Sequence, residues 1–172
     1  MKTEFRYGFI FALIVVAYVM IEHFAGVNTT RHDIGQYSRI GGALVPILGV
    51  FFGIRAKRRE LAGGMSWAQG VRSGALVAVT QTILTTIWFY VYATFVNPQF
   101  MDTMLEYERS KMATAGMSSG EVGAAIDSMR NLYSFPTMQI FQLVIGILYG
   151  TVFAMIFSAF LRKKPVRSAP AV

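Results

Sequence analysis

NLYSFPTMQIFQLVIGILYGTVFAMIFSAFL, running from Asn131 to Leu161, contains no Asp, Glu, Lys or Arg and is closed by Arg162, Lys163 and Lys164. A helix rises about 1.5 Å per residue, so roughly 20 apolar residues cross a hydrocarbon core of about 30 Å. This stretch is long enough to cross with residues to spare. Three others are also free of charge: Ser73 to Met101, Ile40 to Ile54 and Tyr7 to Ile21. Crossings near 7–27, 36–55, 73–96 and 137–160 predict an all-α fold, an integral membrane four-helix bundle formed by a single domain over 1–172. Glu22 and Arg39 flank the two shorter stretches and must lie close to an interface, because charge at mid-membrane is costly.

Composition agrees. With 54% hydrophobic and only 15% charged residues, the chain is too apolar to clothe the surface of an ordinary soluble domain. A net charge of +7 would suit nucleic acid, but the basic residues cluster at the edges of apolar spans instead of interleaving with aromatics, so no nucleic-acid partner is expected. The absence of Cys excludes disulfides, thiolate metal sites and cysteine nucleophiles. Lys2 and Arg6 before an apolar run resemble a signal peptide. Cleavage after Ala25 would place bulky His23 at the minus-three position, so the first helix is expected to be retained.

The basic residues also orient the bundle. Lys2, Arg6, the run Arg55, Lys57, Arg58 and Arg59, then Arg72, Arg162, Lys163, Lys164 and Arg167 fall on one side; Arg31, Arg39, Arg109, Lys111 and Arg130 fall on the other. The positive-inside rule then puts both termini, the 55–72 loop and a basic tail over 161–172 in the cytoplasm. Trp88, Tyr90 and Tyr92 mark the outer end of the third span and Trp67 its inner end. Ser66 and Gln69 have capping-box spacing, which predicts a helix start near Trp67 after a turn at Gly63 and Gly64.

The segment 97–136 reads as an extracytoplasmic helical hairpin between spans 3 and 4. Asn97 with Pro98 suits an N-cap and first helical position. Phe100, Met101, Met104, Leu105 and Met112 then recur at helical spacing until Ala115 and Gly116 interrupt. Ser118 and Glu121 form a second capping-box pattern, followed by an apolar stripe of Val122, Ala125, Ile126, Met129 and Leu132. Such short amphipathic helices are marginal alone, so their apolar faces must pack on each other, on the bundle or in the headgroup region.

The basic run Arg55 to Arg59, the sequence Gly63-Gly64-Met65-Ser66-Trp67-Ala68-Gln69-Gly70, the aromatic end of the third span and Asn97-Pro98-Gln99-Phe100 resemble the family catalogued as domain of unknown function 4199. The resemblance covers the first span through the fourth. It implies a small four-span protein of the bacterial inner membrane and carries no activity or site residues with it.

Candidate functional residues come from within the spans. Gly146, Gly150, Ala154 and Ser158 recur every four residues, the spacing of a helix-packing groove, with Gly49 and Gly53 as a shorter version. The groove's partner can be another helix of this chain or another protomer. Gln81, Thr82 and Thr85, with Thr80 and Thr86 beside them and Gln142 on the fourth span, give a polar intramembrane face. It serves either interhelical hydrogen bonding or a solvated path. Glu22 and Arg39, near the outer ends of adjacent antiparallel helices, are candidates for an interfacial ion pair. Arg55, Lys57, Arg58 and Arg59 orient the protein and suit anionic membrane lipid.

Metal and catalysis find little support. Glu22 and His23 point about 100° apart on a helix and no His-x-x-x-His spacing exists. Met101, Met104, Met112, Met117 and Met129 suit adaptable packing better than cuprous ion. No phosphate-binding loop, metalloprotease His pair, nucleophile elbow or dinucleotide fingerprint is present. The expectation is a non-enzymatic protein with no cofactor and no identified small-molecule substrate. It would act by helix-mediated association, with itself or as an accessory subunit of another membrane protein. The alternative is a small oligomeric transporter or channel using the polar face of the third helix.

Overall fold

The computed structural model describes residues 2–162, and among them all the elements are helical: α1 Thr3–Phe24, α2 His32–Glu60, α3 Trp67–Val91, α4 Phe100–Thr114, α5 Ser119–Leu132 and α6 Phe135–Leu161. A π-helical turn, Tyr92–Val96, extends α3. The helices α1, α2, α3 with this turn, and α6 are long and apolar enough to cross a membrane. The basic tail expected over 161–172 lies, from 163 onward, outside the described residues.

The bundle has the polarity of a protein dissolved in lipid. Phe9, Leu13, Ile140, Leu148 and Phe160 are exposed, whereas Ala78, Ala154, Ser73, Ser158, Gln81 and Thr82 are buried. Where surrounding lipid is as apolar as leucine, burying large side chains gains little, and small residues that let backbones approach gain more. The helices α2 and α3 occupy the middle, with α1 against one side of the pair and α6 against the other. Val50 and Ile54 of α2, Val77 and Ala78 of α3, Ala154 of α6 and Met65 form the fully enclosed core.

The small-residue row on α6 finds its partner within the chain. A Cβ added to Gly146 would stand 2.7 Å from Thr82 Cγ2, and one on Gly150 would stand 2.3 Å from Ala78 Cβ. From the other side, a Cβ on Gly74 would be 2.6 Å from Ala154 Cβ, and one on Gly70 would be 2.5 Å from Ser158 Oγ. Each step of four up α6 is thus met by a step of four down α3, which antiparallel helices with one residue row apiece require. Dispersion contacts over this seam hold α6 to the bundle.

Local chemistry sets the helix ends. Gln69 N–H donates to Ser66 Oγ and Ser66 N–H to Gln69 Oε1, so α3 starts with a complete capping box. Ser118 and Glu121 do the same for α5. Between α2 and α3 the chain turns through Ala62 (φ 50) and Gly63 (φ 85). The expected helix start at Asn97 and Pro98 is corrected: α4 begins at Phe100, flanked by Gln99, because the Asn97 side chain turns back toward the bundle instead of capping forward.

The helices α4 and α5 pack on each other, with Met104, Leu105, Val122 and Ile126 as their buried residues. Gly116 (φ 86) turns the chain between them, and Arg130 pairs with Asp102 across the hairpin at 3.4 Å. Aromatic contacts fasten its foot. Phe100 meets Phe89 and Tyr92 at ring-centroid distances of 5.9 and 6.0 Å, and Tyr107 meets His32 at 5.9 Å.

Candidate functional site

At the hairpin end of the bundle, polar groups from α1, the α1–α2 loop, α2 and the end of α3 join into one chain of hydrogen bonds. Tyr92, fully buried, is its centre. Asn97 N–H reaches back five residues to the Tyr92 carbonyl at 2.7 Å, which makes the last turn of the span a wide one, a distortion frequent at functional sites. That turn carries the Asn97 side chain inward. Its Nδ2 donates to the Asn28 carbonyl at 2.9 Å and to the Tyr92 hydroxyl at 3.1 Å.

The Tyr92 hydroxyl also lies 3.1 Å from His23 Nδ1, and the two rings meet edge to face. A phenol hydroxyl both donates and accepts, so Tyr92 can accept from Asn97 and still bond to His23, with the tautomer of the imidazole setting which of the two donates. The chain continues through Asn28, whose Nδ2 donates to Glu22 Oε2 at 3.3 Å. Ser38 donates its hydroxyl to Glu22 Oε1, and Tyr18 donates to the Ser38 carbonyl at 2.7 Å. Gly41 and Gly42 make room for the Tyr18 ring: a Cβ on Gly41 would come within 2.7 Å of its hydroxyl oxygen. Adjacent Glu22 and His23 therefore have separate, fixed partners, and one network ties α1, α2 and α3 together where the spans end.

The candidate ion pair Glu22–Arg39 does not form among the described residues. Glu22 is satisfied by Ser38 and Asn28 instead. Successive residues on a helix lie about 100° apart, so turning Ser38 toward α1 turns Arg39 away, and Arg39 is exposed. Among the described residues, no three His, Asp or Glu side chains gather as a metal site.

Much of the polar face of α3 is spent locally, while Gln81 Oε1 and Thr86 Oγ1 are buried without a hydrogen-bond partner among the described residues. Gln81 is buried, and its Nε2 donates to the Pro46 carbonyl of α2 at 3.0 Å. Gly49 leaves space for it, since a Cβ there would be 2.6 Å from Gln81 Oε1 and 2.8 Å from Phe11 Cγ. Gly53 likewise admits Val77. Thr85 donates to the Thr82 carbonyl and Thr80 to the Leu76 carbonyl, both on their own helix, while Thr82 fills the space over Gly146. Gln142 is elsewhere: with Phe89, Tyr133, Met138 and Ile145 it lines an open cleft of about 680 Å³ between the ends of α3 and α6.

The basic cluster divides in two. Lys57 pairs with Glu4 of α1 at 3.2 Å and with Glu60 at 3.1 Å, and Thr3 donates to Glu60, so Lys57 fastens α1 to the end of α2. Arg55 and Arg59 instead line a small recess, and Arg58 is half-buried.

Sequence reasoning treated Tyr92 as a depth marker and Asn97 as a cap, and it did not single out Tyr18, Asn28 or Ser38. A weak signal was present: an amide placed five residues after a Tyr, at the polar end of a long apolar span. Its partners lie 69 positions away in the chain, a distance that local pattern does not bridge.

The family model described as "Protein of unknown function (DUF4199)" matches residues 6–163, so the chain belongs to that family. No curated protein and no solved structure matches it.

Proposed function

We propose that this protein, in the inner membrane of a bacterium with both termini in the cytoplasm, acts without catalysis as an accessory membrane subunit that binds another membrane or extracytoplasmic protein through the hairpin α4–α5. The observation that carries the reading is how each part of the molecule is used. The α6 groove is filled by α3, so the feature that suggested association within the bilayer is consumed in holding one chain together. The hairpin, by contrast, holds itself together, is fastened to the spans at its foot, and exposes Glu106, Arg109, Lys111 and Asp127. The excess of Lys and Arg at the other end of the bundle supports the orientation that puts the hairpin outside.

The second reading, an oligomeric transporter with a path along α3, has less support. Gln81 is bonded to α2 and closely packed against Gly49, and Thr85 is bonded to its own helix. Photocrosslinkers placed at Glu106 and Asp127 in native membranes test the first reading. A discrete protein adduct that disappears when the probe is moved to lipid-facing Leu148 supports it; adducts to lipid alone count against it. Proteoliposome flux abolished by Gln81→Leu would favour the second.

A further inference from the structure

At the basic end of α2, four cations in five residues have different fates. On a helix, Lys57 points about 200° from Arg55, whereas Arg55 and Arg59 are one turn apart on the same face. Lys57 is held between the carboxylates of Glu4 and Glu60, and its charge is used there. Arg55 and Arg59 form no ion pair among the described residues. Both are exposed and line a recess of about 150 Å³ whose remaining walls are Tyr7, Phe52 and Ala56.

The bland explanation is that cations simply favour a helix C-terminus and one side of a bilayer. It accounts for the presence of basic residues. It does not account for a Lys committed to carboxylates on one face and two uncommitted Arg on the face that carries a recess. We propose that this recess binds the phosphate of an anionic phospholipid, with Arg55 and Arg59 as the ligating pair.

The chemistry fits in three respects. Guanidinium groups present planar forks of donors that match phosphate oxygens, and they are weakly enough hydrated to work at an interface. Phe52 and Tyr7 provide apolar wall below the arginines, where the first carbons of an acyl chain would lie. Lys57 pairs with both Glu4 and Glu60, which offsets part of their charge and lessens their repulsion of an anion. The position at the end of two spans selects a lipid headgroup over a soluble phosphate. The inference is independent of what the hairpin binds.

Native mass spectrometry of the full-length protein in a neutral detergent, after incubation with phosphatidylglycerol or phosphatidylcholine of the same acyl chains, tests it. The wild type should retain phosphatidylglycerol preferentially, and R55Q/R59Q should hold it about thirtyfold more weakly, taking each Arg near the surface at its usual worth. R58Q should behave as wild type. R55K/R59K, which keeps the charge but loses the forks, should fall between, and it provides the same comparison should the Gln pair fail to fold. Three results would overturn the proposal: equal retention by wild type and both double variants, an equal loss in R58Q, or displacement of the lipid by inorganic phosphate at matching concentration.

Discussion

Gly150 of α6 and Ala78 of α3 approach so closely that a Cβ on the glycine would stand 2.3 Å from the alanine Cβ. The two backbones therefore meet where only one of the pair can carry a methyl group. Gly150→Ala should destabilise the protein by about 1–3 kcal/mol, the usual cost of overpacking. The exchange Ala78→Gly with Gly150→Ala moves the methyl group to the other helix and should recover most of the loss. Thermal unfolding in detergent reads both; an exchange variant as unstable as Gly150→Ala would break the proposed fit.

At Gln81 and Gly49 the space matters more than the hydrogen bond. Gln81→Leu removes one bond to Pro46 and also a buried Oε1 that has no partner among the described residues. Interhelical hydrogen bonds within membranes average about 0.6 kcal/mol, so the change should cost less than about 1 kcal/mol. Gly49→Ala drives a Cβ into Gln81 and Phe11 and should cost about 1–3 kcal/mol. The reverse order of effects in unfolding measurements would contradict this assignment.

The network at the hairpin end should respond as a unit. Tyr92→Phe deletes the hydroxyl that links His23 to Asn97 and should cost about 1–2 kcal/mol, since the buried Asn97 amide and the half-buried His23 each lose a partner. Combined with Asn97→Ala, the two losses should fall short of their sum by at least about 0.5 kcal/mol, as for residues in direct contact. Strict additivity would show that the hydroxyl and the amide act separately.

In the hairpin, Ser118 holds Glu121 below its ordinary carboxylate value of 4.5, through hydrogen bonds from its hydroxyl and from its backbone N–H. A carboxyl depressed by folding adds stability that is fully present above its unfolded value and is lost as pH falls through the folded one. The first turn of α5 should therefore fray below about pH 4.5, with earlier hydrogen exchange at the Glu121 and Val122 amides. Glu121→Gln should remove this pH dependence.

The local features were readable in sequence for a physical reason: they depend on spacing along one helix. Ser66 and Gln69, Ser118 and Glu121, and the row from Gly146 to Ser158 each encode a relation within a few turns. The row Gly70, Gly74, Ala78 and Thr82, which answers the α6 groove, has the same four-residue interval and was available to be read as its complement. The Asn97 site was not legible. Asn before Pro carries the same pattern whether it caps a helix or turns inward, and only Asn28 and Tyr92 in the folded chain decide which. Arg39 shows the same limit: proximity of two helix ends was evident, but which of Ser38 and Arg39 faces Glu22 depends on the rotation of α2.

The chain has no Cys, which makes the α3–α6 seam directly testable. A Cβ on Gly146 would lie 3.4 Å from the Thr82 Cβ, near the short end of the spacing a disulfide spans, about 3.5–4.5 Å. Thr82→Cys with Gly146→Cys should, on mild oxidation in the membrane, form a bond within one chain and run as a monomer, and the two single variants mixed together should not crosslink. Disulfide-linked dimers from the mixed single variants, with no bond formed inside the double variant, would place the groove between protomers and contradict the account.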